Sequence, residues 1–363
     1  MDAIINVFFG GHMFRHLGIV FLGLLTLQVF MMTPAYANDS GARSAPILIA
    51  HRGASSYVPE HTLLAVTAAH VMDADFIEQD IVLSKDGVPL VLHDIYLEST
   101  SNVAEVFPGR QRADGRWYAI DFTLDEIKRL TVGERRQDDG NTAFSDRFPN
   151  TNLALRIPTL EEEIQLILGL NTSRGRNAGL YIEFKAPRFH SAAGYEITTA
   201  VLDVLDDYAL NQVGANIFLQ CFDDLTLKSL RERNATPLPL IQLIADPAWG
   251  EDSAVDYDWL RTMDGLAAIA QYADGIGPWL PHLFTAPDGA PVDLVGNAHA
   301  AGLVVHPYTL RADDLSLGAE TFDALQRRVF IDAGADGAFT DFTDLTRKFI
   351  DLHFNSSTGD IES

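Results

Sequence analysis

Three polar residues, two of them carboxylates, interrupt an otherwise apolar run at residues 76–83, which reads FIEQDIVL. Its length and its β-branched residues predict a buried strand. Because alternate side chains of a strand point to opposite faces, Glu78 and Asp80 should share one face. Seven further runs of this kind occur along the chain. They are residues 47–52, 179–185, 216–222, 238–245, 274–278, 303–309 and 337–342.

Helix-like amphipathic segments lie between most of these runs. The clearest are residues 62–71, 160–168, 195–208, 225–233 and 322–333. Strands that alternate with helices predict parallel βα units, so we expect an α/β protein with a (β/α)₈ TIM barrel.

The chain is longer than such a barrel needs, which is about 250 residues. We place the barrel domain at residues 45–355 and most of the excess at residues 95–156, after the second strand region and a ninth short run at 89–93. This segment is rich in Gly, Asn, Asp, Arg and aromatic residues. We expect an inserted subdomain packed over one end of the barrel; the alternative is a lobe remote from it.

The N-terminus carries an export pattern. Arg15 precedes an apolar run at residues 17–32, and Ala35-Tyr36-Ala37 follows it as an A-x-A cleavage site. This order predicts a signal peptide at residues 1–37, cleaved near Ala37. The 16-residue run is short for a membrane span of about 20 residues, so we expect no stable membrane insertion after cleavage; the alternative is an uncleaved anchor. Met1 and Met13 are both candidate starts.

Charge and cysteine content exclude several classes of protein. The net charge is −24, and such an acidic field repels nucleic acid phosphates, so we expect no nucleic acid partner. Cys221 is the only cysteine, which excludes a disulfide scaffold. The same field attracts divalent cations, whereas an anionic substrate would require local positive charge at its site.

Polar side chains gather where the predicted strands end, which in a barrel is the face that carries the active site. They are His51, Arg52, Glu78, Asp80, Glu183, Lys185, Gln220, His306, Tyr308 and Asp341. Three converging carboxylates without a thiolate favour Ca²⁺ or Mg²⁺ over zinc. An ion pair with Arg52 or Lys185 is the alternative for Glu78 and Asp80. With Glu183 on the adjacent strand, negative charge would remain unpaired, and a cation would relieve it.

Two histidines flank this carboxylate cluster. His51 follows the first strand, His93 follows the short run at 89–93, and an imidazole pair can serve as acid and base near neutral pH. Phosphodiester cleavage requires both roles together with positive charge on the phosphate oxygens, which Arg52, Lys185 and a metal can supply. A structural role is expected for other histidines. These are His12, His16, His70, His190, His282, His299 and His353.

An ordered set of motifs spans residues 47–352 and resembles the signature of the glycerophosphodiester phosphodiesterase family. The pieces are His51-Arg52-Gly53, Pro59-Glu60-His61-Thr62, Phe76-Ile77-Glu78-Gln79-Asp80, Lys85-Asp86-Gly87, Val91-Leu92-His93-Asp94, Tyr181-Ile182-Glu183-Phe184-Lys185, Leu219-Gln220-Cys221-Phe222, Val305-His306-Pro307-Tyr308-Thr309 and Phe339-Thr340-Asp341-Phe342. Residues 306–308 and 117–122 resemble the periplasmic bacterial branch in particular.

The resemblance implies a (β/α)₈ barrel that releases sn-glycerol 3-phosphate and an alcohol from small glycerophosphodiesters. It further implies a cyclic phosphate formed by the substrate's own 2-hydroxyl, a periplasmic location and a divalent metal, Ca²⁺ first and Mg²⁺ second. Carried over by position, the roles are metal ligation by Glu78, Asp80 and Glu183, acid/base catalysis by His51 and His93, and phosphate binding by Arg52 and Lys185.

The motifs say less about which residues line the rim of the site. Gln220, Phe222, Tyr308 and Trp279 are candidates to line a glycerol pocket, although residues 279–281 depart from the periplasmic pattern. Glu60 either reaches the site or belongs to a turn before the first helix. A phospholipase acting on intact lipids and a non-catalytic surface protein on the same barrel are the alternative functions. A homodimer is compatible with the sequence.

Overall fold

Eight parallel strands form a nearly closed barrel in the computed structural model, which describes residues 44–137, 139–149, 153–233 and 235–355. The parallel strands are β1 (Ile47–Ala50), β2 (Phe76–Leu83), β4 (Gly179–Phe184), β5 (Ile217–Cys221), β6 (Leu240–Ile244), β7 (Gly275–Pro278), β8 (Val304–Val305) and β9 (Gly337–Thr340). A short strand β3 (Pro89–Val91) pairs antiparallel with β2. The predicted α/β barrel is confirmed, and the predicted signal peptide lies outside the described residues.

The strands are ordered β8-β7-β6-β5-β4-β2-β1-β9, which leaves the junction between β8 and β9 to close the barrel. Backbone hydrogen bonds cross this junction. Asp336 N donates to Val305 O at 3.0 Å, and Phe339 N donates to Pro307 O at 3.0 Å. The carboxyl ends of all eight strands therefore surround one opening.

Helices follow the strands as the sequence pattern predicts. They are α1 (Leu63–Val71), α2 (Val103–Val106), α3 (Leu124–Ile127), α4 (Leu160–Arg174), α5 (Pro187–Ala192), α6 (Ile197–Asp207), α7 (Asp224–Glu232), α8 (Tyr257–Leu260), α9 (Met263–Ile269), α10 (Leu294–Ala300), α11 (Phe322–Gln326) and α12 (Thr343–Phe354). A π-helical segment, Arg327–Ala333, continues α11. Among the described residues, no helix is both long enough and apolar enough to cross a membrane.

The barrel interior is filled by an aromatic floor, which we define as Ile49, Phe76, Tyr181, Phe218, Ile241 and Phe339. Tyr181 and Phe218 stack with ring centroids 5.0 Å apart. His306 lies among these rings and hydrogen-bonds the Tyr181 hydroxyl through Nδ1 at 2.9 Å. The sequence grouped His306 with the residues of the mouth, and this placement is wrong because its side chain is buried beneath them.

The segment at residues 95–156 has an apolar cluster of its own. Leu97, Val103, Phe107 and Phe122 pack there together with Leu90 of β3. Trp117 joins the cluster and donates its indole N–H to the Phe107 carbonyl at 3.0 Å. Because β3 is paired with β2, this cluster connects the segment to the strand that carries Glu78 and Asp80.

The buried His306 makes fold stability depend on pH. Burial lowers the pKa of His306 from 6.5 to about 4, so between these values the unfolded chain binds a proton that the folded chain does not. We therefore expect the free energy of unfolding to fall as the pH is lowered from 6.5 to 4, with up to about 3 kcal/mol from this residue.

Urea denaturation at several pH values measures this slope. His306→Gln keeps a hydrogen-bonding side chain without the titration, so its unfolding free energy should change less over the same interval. The two proteins should be compared at pH 8 as a reference, where both side chains are neutral. An equal slope in the variant would contradict the assignment.

Candidate active site at the carboxyl ends of the strands

A tight turn after β1 presents His51 and Arg52 to the mouth. Arg52 and Gly53 both adopt left-handed backbone, with φ of 59° and 80°. A Cβ atom at Gly53 would lie 2.7 Å from the backbone carbon of Ala65, so only glycine fits there. The Arg52 amide donates to Glu78 Oε2 at 2.7 Å, which ties the turn to the carboxylate cluster.

Strand register brings the three predicted metal ligands together. Asp80 of β2 lies opposite Glu183 of β4, and Glu183 lies opposite Gln220 of β5. Glu78, Asp80 and Glu183 are buried, and each offers a carboxylate oxygen within 4.8 Å of those of the other two. Gln220 Nε2 is 3.5 Å from Glu78 Oε1. Each of these side chains stands two or four positions beyond a floor residue of its own strand and therefore faces the interior.

The cluster holds more negative charge than its neighbours neutralise. Burial and then the charge of Asp80 raise the pKa of Glu78 well above its usual value, and burial raises the pKa of Glu183 to about 8 although Lys185 opposes the shift. Burial would also raise the pKa of Asp80, but the charges of His93 and Lys185 outweigh it and lower that pKa.

The ion pairs predicted as the alternative are present but incomplete. Lys185 Nζ lies 2.7 Å from Glu183 Oε1, and Arg52 Nε lies 3.4 Å from Asp80 Oδ2. Asp80 Oδ1 is buried and has no hydrogen-bond partner among the described residues. Two cations thus face three carboxylates, and an unsatisfied oxygen remains. This donor set fits a hard divalent cation.

His51 is held by a buried aspartate. Its Nδ1 lies 2.6 Å from Oδ1 of Asp341, and an ionised carboxylate can only accept, so Nδ1 carries the proton. Burial and the neighbouring Arg52 lower the pKa of His51 to about 4, while Asp341 acts in the opposite direction. Burial would raise the pKa of Asp341, but Arg311, His51 and Arg147 hold it well below its usual value.

His93 has a matching arrangement on the other side of the cluster. Its Nδ1 lies 2.5 Å from Oδ1 of Asp94, and its Nε2 lies 3.3 Å from Lys185 Nζ. Burial and the charges of Arg52 and Lys185 lower the pKa of His93 to about 3, although Asp80 and Asp94 act in the opposite direction. Both histidines therefore bind an aspartate through Nδ1, and in His93 the other ring nitrogen, Nε2, lies beside Lys185.

Although His306 and Asp341 do not line it, one cavity of about 450 Å³ collects the eleven residues that the sequence predicts for catalysis, metal binding or substrate binding. These are His51, Arg52, Glu78, Asp80, His93, Glu183, Lys185, Gln220, Phe222, Trp279 and Tyr308. Another part of the cavity wall is aromatic. There the ring centroids of Trp249 and Trp279 lie 5.1 Å apart, and those of Phe222 and Tyr308 lie 6.0 Å apart.

Sequence reasoning missed several neighbours of these groups. His61 Nε2 lies 2.7 Å from Asp80 Oδ2, and Glu60 is bound by Arg52 and Arg135 rather than lining the cavity. Trp249, Glu251 and Arg311 also line the cavity. Asp94 and His61 belong to the family motifs, so the sequence could have predicted that they lie near the site. Arg135 and Arg147 carry no such signal, since they lie 42 and 54 positions beyond His93.

The family model described as the Glycerophosphoryl diester phosphodiesterase family matches residues 51–345. A glycerophosphodiester phosphodiesterase from Haemophilus influenzae is 38% identical over 329 residues, covering 85% of this chain and 90% of that protein. One from Treponema pallidum is 34% identical over 335 residues, covering 86% of this chain and 93% of that protein.

Solved structures give the same picture. A candidate glycerophosphoryl diester phosphodiesterase from Silicibacter pomeroyi has a TM-score of 0.64 and 26% identity, covering 85% of this chain and 93% of that one. A phosphodiesterase from Oleispira antarctica in complex with the product sn-glycerol-3-phosphate has a TM-score of 0.55 and 22% identity, covering 85% and 97%, and supports the fold. The chain therefore belongs to the glycerophosphoryl diester phosphodiesterase family and is an enzyme of that class.

Proposed function

We propose that this enzyme hydrolyses small glycerophosphodiesters to sn-glycerol 3-phosphate and an alcohol, with His51 and His93 as its acid/base pair. The observation that carries the proposal is the placement of two aspartate-bound histidines on either side of one carboxylate cluster, in a single cavity. The similar proteins from Haemophilus influenzae and Treponema pallidum are glycerophosphodiester phosphodiesterases, which agrees with this proposal.

Glu78, Asp80 and Glu183 would hold the divalent metal, for which we propose Ca²⁺ first and Mg²⁺ second, since all three ligands are carboxylates. When bound, the metal would act as a Lewis acid on the phosphate oxygens. Arg52 and Lys185 lie beside the same carboxylates, so their charges would bind the remaining non-bridging oxygens.

In the proposed two-step reaction, one histidine acts as a general base and the other as a general acid. The substrate's 2-hydroxyl oxygen attacks phosphorus and gives its proton to one neutral histidine. The other histidine enters the step protonated on Nε2 and protonates the oxygen of the departing alcohol as its bond to phosphorus breaks. The product of this step is a cyclic phosphate. The histidines then exchange roles, as water attacks phosphorus, the ring P–O bond breaks and sn-glycerol 3-phosphate is released.

The aromatic wall supports the proposal that Phe222, Tyr308 and Trp279 bind the carbon face of the glycerol unit. Gln220 would add a polar contact, because its Oε1 is buried without a hydrogen-bond partner among the described residues. We also propose export to the periplasm, on the strength of the N-terminal cleavage pattern at residues 35–37.

Removing either histidine should remove catalysis and not the fold. His51→Ala and His93→Ala should each lower kcat/KM on glycerophosphocholine by about 100- to 10,000-fold, since each loses one proton-transfer step. His299→Ala is the matched control, because His299 forms a similar pair with Asp336 at 2.8 Å outside the cavity. Near-normal turnover in His51→Ala or His93→Ala would exclude the acid/base assignment, provided that circular dichroism shows native folds.

Chelation tests the metal proposal. Extensive treatment with EDTA should abolish turnover, and Ca²⁺ or Mg²⁺ should restore it. Ca²⁺ should also raise the melting temperature of the stripped protein, because a ligand bound only to the folded state stabilises it. The melting temperature of Asp80→Asn should respond much less. Full activity after verified metal removal would show that the carboxylates have another role.

Substrate size separates the proposal from the lipid alternative. The net charge of −24 disfavours an anionic membrane surface, and a cavity of about 450 Å³ suits a small diester. We expect release of sn-glycerol 3-phosphate from glycerophosphocholine and no product from phosphatidylcholine vesicles. Turnover of the vesicles alone would establish the phospholipase instead, and turnover of neither substrate, with other glycerophosphodiesters also inert, would favour a non-catalytic protein.

A further inference from the structure

We propose that Arg135 and Arg147, both from the segment at residues 95–156, are positioning residues that hold the aspartate partners of the two catalytic histidines. The inference rests on the proposed acid/base roles of His51 and His93. The proposal gives the segment at residues 95–156 a part in the reaction, although none of the described residues that line the main cavity belongs to this segment.

On one side, Arg135 holds the carboxylate behind His93. Asp94 uses Oδ1 for His93 Nδ1 at 2.5 Å and Oδ2 for the Arg135 guanidinium at 2.7 Å. Arg135 is itself fixed by Glu60, to which it donates from Nε at 3.0 Å and from its other terminal nitrogen at 2.6 Å. This fork-to-carboxylate pairing leaves the guanidinium little freedom.

On the other side, Arg147 repeats the arrangement behind His51. Asp341 uses Oδ1 for His51 Nδ1 at 2.6 Å and Oδ2 for the Arg147 guanidinium at 2.7 Å. Asp313 accepts from Arg147 Nε at 2.8 Å and from Nη2 at 3.1 Å, and Nη2 is the same nitrogen that donates to Asp341. One difference matters, because Arg311 Nε also donates to Asp341 Oδ2 at 2.8 Å.

In both Asp94 and Asp341, one carboxylate oxygen binds the histidine and the other binds the arginine, and this arrangement has a physical consequence. A carboxylate held at one oxygen can rotate about its Cβ–Cγ bond, whereas one held at both oxygens keeps its plane. A fixed and ionised carboxylate keeps the proton of its histidine on Nδ1 and aims Nε2, as the partners of metal-bound histidines do. Both histidines and both arginines line a second cavity of about 210 Å³ next to the main one.

Loss of Arg135 should therefore act on the chemical step. Arg135→Met should lower kcat on glycerophosphocholine by about 10- to 100-fold, the usual effect of losing an orienting partner, with KM changed less than about 3-fold. Arg135→Lys, which can still reach one oxygen, should recover part of the loss. Arg147→Met should cost less than Arg135→Met, because Arg311 still holds Asp341.

A double-mutant cycle shows whether Arg135 acts through Asp94. Asp94→Asn should lower kcat by itself, and adding Arg135→Met to it should cost at most about 2-fold more, since the link is already broken. A merely structural role for Arg135 would multiply the two losses. Arg112→Met is the matched control, because Arg112 makes a two-bond pair with Asp121 in the same segment, away from the cavity, and should keep full activity.

The outcomes separate this inference from the proposed function. Inactive His93→Ala together with fully active Arg135→Met would overturn the positioning role alone, as would equal losses from Arg135→Met in the wild-type and Asp94→Asn proteins. A rise in KM with unchanged kcat would also overturn it, since that result would place the effect on Arg52 through Glu60. Active His51→Ala and His93→Ala proteins would overturn the acid/base proposal itself. Melting temperatures of all variants exclude loss of fold.

Discussion

The burial of three carboxylates inside the mouth of the barrel is the constraint on which the rest of the site depends. Glu78, Asp80 and Glu183 lose their hydration there, and like charges within 4.8 Å of one another repel in a medium less polar than water. Arg52 and Lys185 compensate part of this charge, and His61 lies within hydrogen-bonding distance of Asp80. The negative charge that remains uncompensated makes this cluster a position where a divalent cation could bind.

The barrel makes that burial tolerable by holding the donors on rigid strands. Phe76 and Tyr181 close the interior beneath Glu78 and Glu183, while backbone register sets Asp80 beside Glu183. A loop could not hold three repelling side chains so close without ordered support. Strand ends supply that support, and they also leave the ligand atoms open to the cavity.

The charged groups form a connected network rather than separate pairs. Asp80 contacts Arg52, Arg52 contacts Glu60, and Glu60 contacts Arg135, which in turn reaches Asp94 and so His93. Buried ions of this kind are stable only when each has a partner. The segment at 95–156 is thus connected to the mouth by ion pairs as well as by the apolar cluster that it shares with Leu90.

Local patterns in the sequence determined much of this protein. Alternating runs predicted all eight parallel strands, and the i, i+2 spacing of Glu78 and Asp80 placed both on the interior face because strand periodicity is a local property. The motifs also identified the histidines, carboxylates and phosphate-facing cations of the main cavity, but not Trp249, Glu251 and Arg311, which line it as well. His306 was misplaced because a strand-end position does not reveal how deep a side chain lies. Only the tertiary structure brought Arg135 to Asp94 and Arg147 to Asp341, since contacts between residues 41 and 194 positions apart depend on how the whole chain packs and leave no local pattern.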